Sequence, residues 1–305
     1  MSAAALASLI PIAALAAAPL LVGGIQATKA RLQGRRGPGP LQPYRELRRL
    51  WGRSVVAPEG AGPVYRCAPA VVAASLGLCL LLVPATGADG DGLLGRDAIL
   101  LVGLLALGRL ALALSAWDTG TGFGLMGASR DLTLAVAGEA LLLMVVLAAA
   151  MPAGGTDLVA MWEGAAGTAP WSDPSHWFGA FAMGLVVVLE TGRQPIDNPD
   201  THLELTMIHE GPLLEYAGRD LAMLQWSAAA RHWVVLALLA GLYLPHPAGA
   251  VGGLVSLVCW LAVCVVALAL VETWQAKMRL LRVPGLIATG VALTVLGVVV
   301  AGGGW

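Results

Sequence analysis

Several ionisable residues stand where long apolar runs should hold only hydrocarbon-like side chains. Arg109, Glu139, Arg231 and His232 interrupt such runs, and Glu272 closes another. An ionised side chain near the middle of a bilayer costs several kcal/mol, so each position needs a reason. Glu139 sits nine residues into the run that starts at 130, about 13 Å along a helix. Buried carboxylates can lie on a water-lined path, where burial shifts their affinity for protons. Alternatively, buried charges of opposite sign hold helices together. For Arg231 and His232 both readings stand.

A second concentration of chemistry runs from Glu190 to Asp220, ETGRQPIDNPDTHLELTMIHEGPLLEYAGRD. Seven carboxylates fall in these 31 residues: Glu190, Asp197, Asp200, Glu204, Glu210, Glu215 and Asp220. Asn198-Pro199 reads as a helix start, and Thr201-x-x-Glu204 has capping-box spacing. Gly211-Pro212 should break that helix, with a new one running on from about Leu213. In it Glu215 and Arg219 would be four apart and able to pair. Glu210, just before the break, has no such local explanation. The pattern predicts a polar chamber lined by carboxylates at the membrane surface.

The elements that must position these groups follow from composition. Of the 305 residues, 58% are hydrophobic and 12% charged, and the mean hydropathy is +0.78. An average soluble domain is about 25% charged. The composition excludes a disordered chain, a disulfide-stapled module and a nucleic-acid-binding domain. Cys67, Cys79, Cys259 and Cys264 form no Cys-x-x-Cys pair and read as small apolar fillers, so no metal is expected on this chain. A spanning helix needs about 20 mostly apolar residues. Eight runs qualify: 3–25, 67–86, 97–115, 130–150, 175–191, 219–244, 249–271 and 284–302. No basic cluster precedes Lys29, so the first run reads as a retained helix rather than a cleaved signal. The expectation is an all-α integral membrane protein, one polytopic domain over residues 1–305.

Charge asymmetry gives the orientation. Nine of the 18 Lys and Arg residues lie between Lys29 and Arg66, after the first run. Lys277, Arg279, Arg282, Arg193 and Arg219 fall on the same side if eight helices alternate. Asp89, Asp91, Asp157, Glu163 and Asp173 fall on the other, with Arg96 as its base. Both termini are then expected outside and the basic loops in the cytoplasm. Within the first basic loop, Gly34, Gly37 and Gly39 alternate with Pro38, Pro40 and Pro43, which forces a non-helical path. Leu47, Leu50 and Trp51 then follow helical spacing, with Arg45, Arg48, Arg49 and Arg53 on the polar side. This predicts an amphipathic surface helix of two to three turns. Arg35, Arg36, Gly37, Pro38, Gln42, Arg45 and Arg49 would form a docking platform for a partner.

Three stretches carry a family resemblance: GRRGP followed by LQPYRELRRL; DTGTGFGLMGASRDLTLAVAGE; and Glu190 to Trp226, with E-x-x-R-x-P-x-D at Glu190, Arg193, Pro195 and Asp197. Together they resemble the complex I subunit 1 family, and within it the membrane subunit of group 4 [NiFe] hydrogenases of the formate hydrogenlyase and hydrogenase-4 type. Asp131 stands where the pattern has Glu, and the ELTMIHE insert departs from the quinone-reducing branch. The resemblance implies a proton- or sodium-coupling subunit with no bond-making active site of its own. It implies partners with a [NiFe] or [NiFe]-like large subunit, an iron–sulfur small subunit and antiporter-like membrane subunits. The path residues it implies are Glu139, Glu190, Asp197, Glu204, Glu210 and Glu215, with Arg130, Arg193 and Arg219 as charge partners. The alternatives are a quinone-binding subunit of a complex I-like dehydrogenase, or a plain membrane anchor. A stand-alone transporter has less support, because no inverted repeat shows.

Overall fold

The computed structural model describes residues 3–84, 95–167, 170–197, 208–276, 278 and 282–303, with side chains from residue 11 onward. Asn198, Thr201, Glu204, Lys277 and Arg279 lie outside the described residues. The described chain is helical: α1 (Ala3–Leu32), α2 (Gln42–Trp51), α3 (Pro63–Leu82), α4 (Ala98–Thr119), α5 (Gly122–Ala153), α6 (Leu158–Ala165), α7 (Pro174–Glu190), α8 (Gly218–Tyr243), α9 (Ala250–Trp274) and α10 (Val283–Gly303). Six of these, α1, α3, α4, α5, α9 and α10, are long and apolar enough to cross a membrane. The chain is an all-α, multi-pass membrane protein.

The two remaining long elements differ for physical reasons. Helix α7 has 17 residues, about 26 Å of rise, which is short of the ~30 Å hydrocarbon core. Helix α8 carries Arg219, Asp220 and Arg231. It tolerates them because it runs through the middle of the bundle, where Val234, Val235, Leu236 and Ala237 are completely buried. Helices α1, α3, α7 and α9 pack around it, so protein rather than lipid surrounds Arg231, while Arg219 and Asp220 stand at its more exposed first turn.

The connection between α4 and α5 is far tighter than the apolar runs suggest. Only Gly120 and Thr121 separate the two helices. Gly120 closes α4 at φ 65°, the left-handed region that glycine enters without penalty. The polar segment from Trp117 to Arg130 therefore extends both helices instead of forming a loop. Near this end Asp118 accepts the Tyr65 backbone N–H at 2.9 Å, in the first turn of α3. At the opposite end Asp97, Asp157 and Asp173 accept backbone N–H groups in the first turns of α4, α6 and α7. Asp157 and Asp173, two of the acids read onto that side, are thus helix caps, as is Asp97, while Asp89 and Asp91 lie outside the described residues. The Thr156 hydroxyl beside Asp97 holds that carboxyl below its ordinary value of 3.8.

Two prolines inside helices are matched by side chains from α8 or the turn before it. Pro19 lacks the N–H that would bond the Leu15 carbonyl, and Trp226 Nε1 donates to that oxygen at 3.0 Å. Pro69 frees the Tyr65 carbonyl in the same way, and the Tyr216 hydroxyl donates to it at 3.0 Å. Tyr65 returns a 2.7 Å hydrogen bond to the Glu215 carbonyl, and the two rings stack 4.4 Å apart. This clasp ties α3 to the segment that carries the acidic motif. Tyr216→Phe leaves a buried carbonyl unsatisfied and is expected to cost about 1–3 kcal/mol, read as a lower melting temperature in detergent. Burial raises the Tyr216 phenol above its ordinary value of 10.0. The folded state therefore prefers the protonated form, so this contribution is complete below pH 10 and is lost as pH rises through the higher folded value.

The first basic loop doubles back along α1. The space a Cβ on Gly23 would need holds the Pro40 carbonyl, and the space beside Gly37 holds Ala30. Helix α2 follows the predicted amphipathic pattern in part: Leu50 is buried and Trp51 is exposed. The Tyr44 hydroxyl pins α2 to α1 through the Ala16 carbonyl at 2.6 Å. Residues Arg35, Arg36, Gly37 and Pro38, with Arg45 and Arg49, stand exposed; Gln42 is half-buried. Lys29 is not part of that loop. It is buried in the last turn of α1.

Candidate functional site

The buried charges meet at the inner end of α7. Glu190 is its last residue, and its side chain is fully buried. Its Oε2 accepts from Arg109 on α4 at 2.9 Å and from Arg231 on α8 at 2.8 Å. Arg109 is the twelfth of 22 residues in α4, and Arg231 the fourteenth of 26 in α8. Helix α7 therefore stops level with the midpoints of its neighbours. A helix can end at that depth only where protein covers the freed backbone. Here it does: the turn that follows, Thr191, Gly192, Arg193, Ile196 and Asp197, is buried.

Glu139 approaches the same cation from α5, with its carboxylate 3.8 Å from Arg109 Nε. Two carboxylates thus share one guanidinium, and a second guanidinium completes the balance. Arg231 also donates to the Leu105 carbonyl at 2.7 Å, which fixes its fork. Glu190 Oε1 is buried without a hydrogen-bond partner among the described residues, as is Glu139 Oε1. Glu190 Oε1 lies 3.6 Å from where a Cβ on Gly138 would be, so it faces α5 beside Glu139.

A second cluster lies three residues along the turn. Arg193 donates to Glu272 on α9 at 2.7 Å and to His232 Nε2 at 3.0 Å. Lys29 on α1 stands 3.1 Å from the other Glu272 oxygen. His232 Nδ1 bonds the Ala228 carbonyl at 2.7 Å. An Nδ1–H donor and an Nε2 acceptor together fix the neutral tautomer. The first and second clusters touch through neighbours in sequence, Glu190 with Arg193 and Arg231 with His232.

A third pair flanks them. His209 Nδ1 lies 3.0 Å from the Asp131 carboxylate on α5, within ion-pair reach but off the line of a hydrogen bond. Asp197 accepts the backbone N–H groups of Ile208 and His209 at 3.2 and 3.3 Å. This folds the far end of the acidic stretch back onto its beginning. Gly127 and Gly211 bring α5 against the following 3₁₀ turn, Gly211–Leu213, so closely that a Cβ on Gly127 would sit 2.7 Å from the Gly211 Cα.

Against the sequence expectations, the structure brings Glu139, Glu190, Arg193 and Asp197 into or beside one buried network. Glu210 and Glu215 are half-buried near the 3₁₀ turn, and Arg219 is exposed. Helix α8 begins at Gly218 rather than near Leu213, because Gly218 adopts φ 59° and packs directly on the Arg53 and Ser54 carbonyls. Glu215 therefore lies outside α8, and its spacing to Arg219 carries no helical meaning. Arg130 is half-buried. The cations that clamp Glu190 are instead Arg109 and Arg231, whose signal was their position inside apolar runs. Asp131 stood at the start of the 130–150 run, where the family pattern has Glu, while His209 carried no such signal because it sits in polar sequence. Among the described residues no group of three or more His, Cys, Asp or Glu is placed to hold a metal.

A family profile described as NADH dehydrogenase matches residues 4–302. The chain belongs to the NADH dehydrogenase family. The relatives include formate hydrogenlyase subunit 4 of Escherichia coli, 34% identical over 87% of this chain and 88% of that one. Hydrogenase-4 component C of the same organism is 35% identical over 74% of this chain and 71% of its own length. An NADH-quinone oxidoreductase subunit of Syntrophobacter fumaroxidans is 30% identical over 86% of this chain and 82% of its own length. A chain in the solved membrane-bound sulfane sulfur reductase, an archaeal respiratory membrane complex, has the same fold. It superposes with a TM-score of 0.79 over 97% of this chain and 98% of that one, at 19% identity. The resemblance read from the three motif stretches is thereby established, in both its hydrogenase and its NADH-quinone branches.

Proposed function

We propose that this NADH dehydrogenase family member is the ion-coupling membrane subunit of a hydrogenase-type respiratory complex, of the kind that its formate hydrogenlyase and hydrogenase-4 relatives are named for. The observation that carries the reading is the pair Glu139 and Glu190. Both reach Arg109 in the bundle interior, and each keeps one buried carboxylate oxygen without a hydrogen-bond partner among the described residues. A mere helix anchor gains from satisfying every buried oxygen. A proton path needs lone pairs left over.

In this reading electron transfer takes place in a cytoplasmic arm docked on the basic loop around Arg35, Arg36, Arg45 and Arg49. The arm supplies the [NiFe] centre and iron–sulfur clusters. Antiporter-like membrane subunits would adjoin the bundle. The chain sits in the cytoplasmic membrane with both termini outside, as its basic loops favour. Glu204, Glu210, Glu215 and Asp197 would lead from the docked arm to Glu190 and Glu139. Arg130, Arg193 and Arg219 would set the field around them. The relatives named as NADH-quinone oxidoreductase subunits keep a quinone-linked partner set as the second reading.

The test is to purify the tagged chain in mild detergent and identify its co-purifying subunits by mass spectrometry, with nickel and iron analysis. Hydrogenase-like subunits with both metals are expected. Iron without nickel, alongside quinone-linked dehydrogenase subunits, would replace this reading with the second one, and the chain purifying alone would defeat both.

A further inference from the structure

The buried carboxylates need a route to water, and the described residues offer a specific carrier. We propose that His209, together with Asp131, is the proton-carrying link between the protein surface and the Arg109–Glu190–Glu139 network. This rests on the ion-coupling reading above and names the residue by which protons enter or leave.

His209 sits at a boundary. About a quarter of its side chain is exposed, while its partner Asp131 is 8% exposed. An imidazole has two ring nitrogens, so it can accept a proton at one and release a proton from the other. The other histidine of the network is less suited. Both His232 nitrogens are committed, one to the Ala228 carbonyl and one to Arg193. His209 by contrast has a buried Nε2, beside Gly192, without a hydrogen-bond partner among the described residues. Its Nδ1 already faces Asp131 at 3.0 Å, yet off hydrogen-bond line, so the ring is close without being locked.

The ring has a close resting place. It lies against Gly192, filling the space where any other residue would carry its Cβ. Gly192 is in the turn between Glu190 and Arg193, at φ 59°. Nε2 is buried there, so in this proposal the ring must turn outward from the Gly192 space to meet water. The charged groups around it come from each packed element: Asp131 from α5, Asp197 and Arg193 from the turn after α7, His232 from α8, and Glu210 next in its own segment. Asp131 in turn lies within electrostatic range of Arg109 and Arg231. Along α5 it stands eight residues from Glu139, about 12 Å.

The step balances simply. A proton taken up at Nε2 makes the imidazolium. Release of the Nδ1 proton to Asp131 leaves a neutral imidazole and a neutral carboxyl, with total charge unchanged. Asp131 then gives the proton to bridging water on the way to Glu139, about 12 Å along α5, and returns to the carboxylate.

The experiment uses the assembled complex in sealed vesicles. His209→Gln, near in shape but unable to carry charge, is expected to slow ion translocation on the order of 10²-fold while electron transfer in the arm continues. It should also change the pH dependence of translocation. His209→Ala should recover when imidazole or 4-methylimidazole is added, with rates that follow the basicity of the added compound. Unchanged translocation and pH profile in His209→Gln would overturn the proposal. So would an alanine variant that the imidazoles fail to restore. A complex that assembles only with histidine at 209 would make the residue a structural support and end the carrier role. Glu139→Gln run in parallel separates the two levels. Normal translocation there defeats the ion-coupling reading itself, whereas loss there with normal His209→Gln defeats only the carrier.

Discussion

Glu190→Gln is expected to be the most destabilising single change in the buried network. The carboxylate is fully buried and accepts from two guanidinium groups. Removing its charge leaves Arg109 and Arg231 facing each other in the interior, with Glu139 close by and Asp131 further off to balance them. Breaking a buried pair in this way costs about 3–5 kcal/mol, because the remaining charges can neither reach water nor find a new partner. The measurement is thermal unfolding of the detergent-solubilised complex. The cause is testable by charge balance. Adding Arg231→Gln to Glu190→Gln restores one cation against one carboxylate, Arg109 with Glu139. The double variant should therefore melt above the single one. A double variant that melts lower still would show that packing at Glu190, rather than charge, sets the cost.

Glu139→Gln is expected to separate function from stability. Its contact with Arg109 is longer, 3.8 Å, and its side chain is partly accessible at 16%. Loss of its charge therefore weakens the fold less than loss of Glu190. If Glu139 relays protons, coupled ion translocation should fall on the order of 10²-fold or more, with assembly and electron transfer in the arm retained. Ion uptake into vesicles, measured beside electron transfer in the same preparation, gives both numbers. Equal small effects on the two would make Glu139 an anchor between α4 and α5. The pairing of results matters more than either alone. Glu190 should fail chiefly in stability and Glu139 chiefly in coupling, although both share Arg109.

The platform and the network are joined through the same few elements. Helix α2 packs on α8, and the Arg53 and Ser54 carbonyls touch Gly218 at the start of α8. Arg231 and His232 stand further along that helix. The Tyr65–Tyr216 clasp ties the acidic segment to α3. A docked partner would therefore press on elements that hold Glu190's cations, which gives the proposed coupling a physical connection short of any long-range wire.

Much of this was legible in local sequence. Apolar windows located every long helix, since burial in lipid demands about 20 apolar positions in a row. Glycine–proline alternation and the Leu47, Leu50, Trp51 spacing located the non-helical stretch before α2 and α2 itself. Glu139, Arg109 and Arg231 stood out because charge inside such a window is costly. Helix ends were less legible. The segment around Gly120 is polar, and only the left-handed glycine and tight packing show that two helices run nearly to it from either side. The pairing was not legible at all. Arg109 and Glu190 are 81 residues apart, and Arg193 and Glu272 are 79 apart. The prolines announced freed carbonyls in α1 and α3, but not that Trp226 and Tyr216 would satisfy them from 211 and 151 residues away. Apolar length along the chain picks out the segments fit to enter a membrane, and charge within them picks out the residues too costly to be there by accident. Which cation faces which carboxylate emerges when the helices pack, because an ion pair depends on distances between helices, and no local pattern along one chain encodes them.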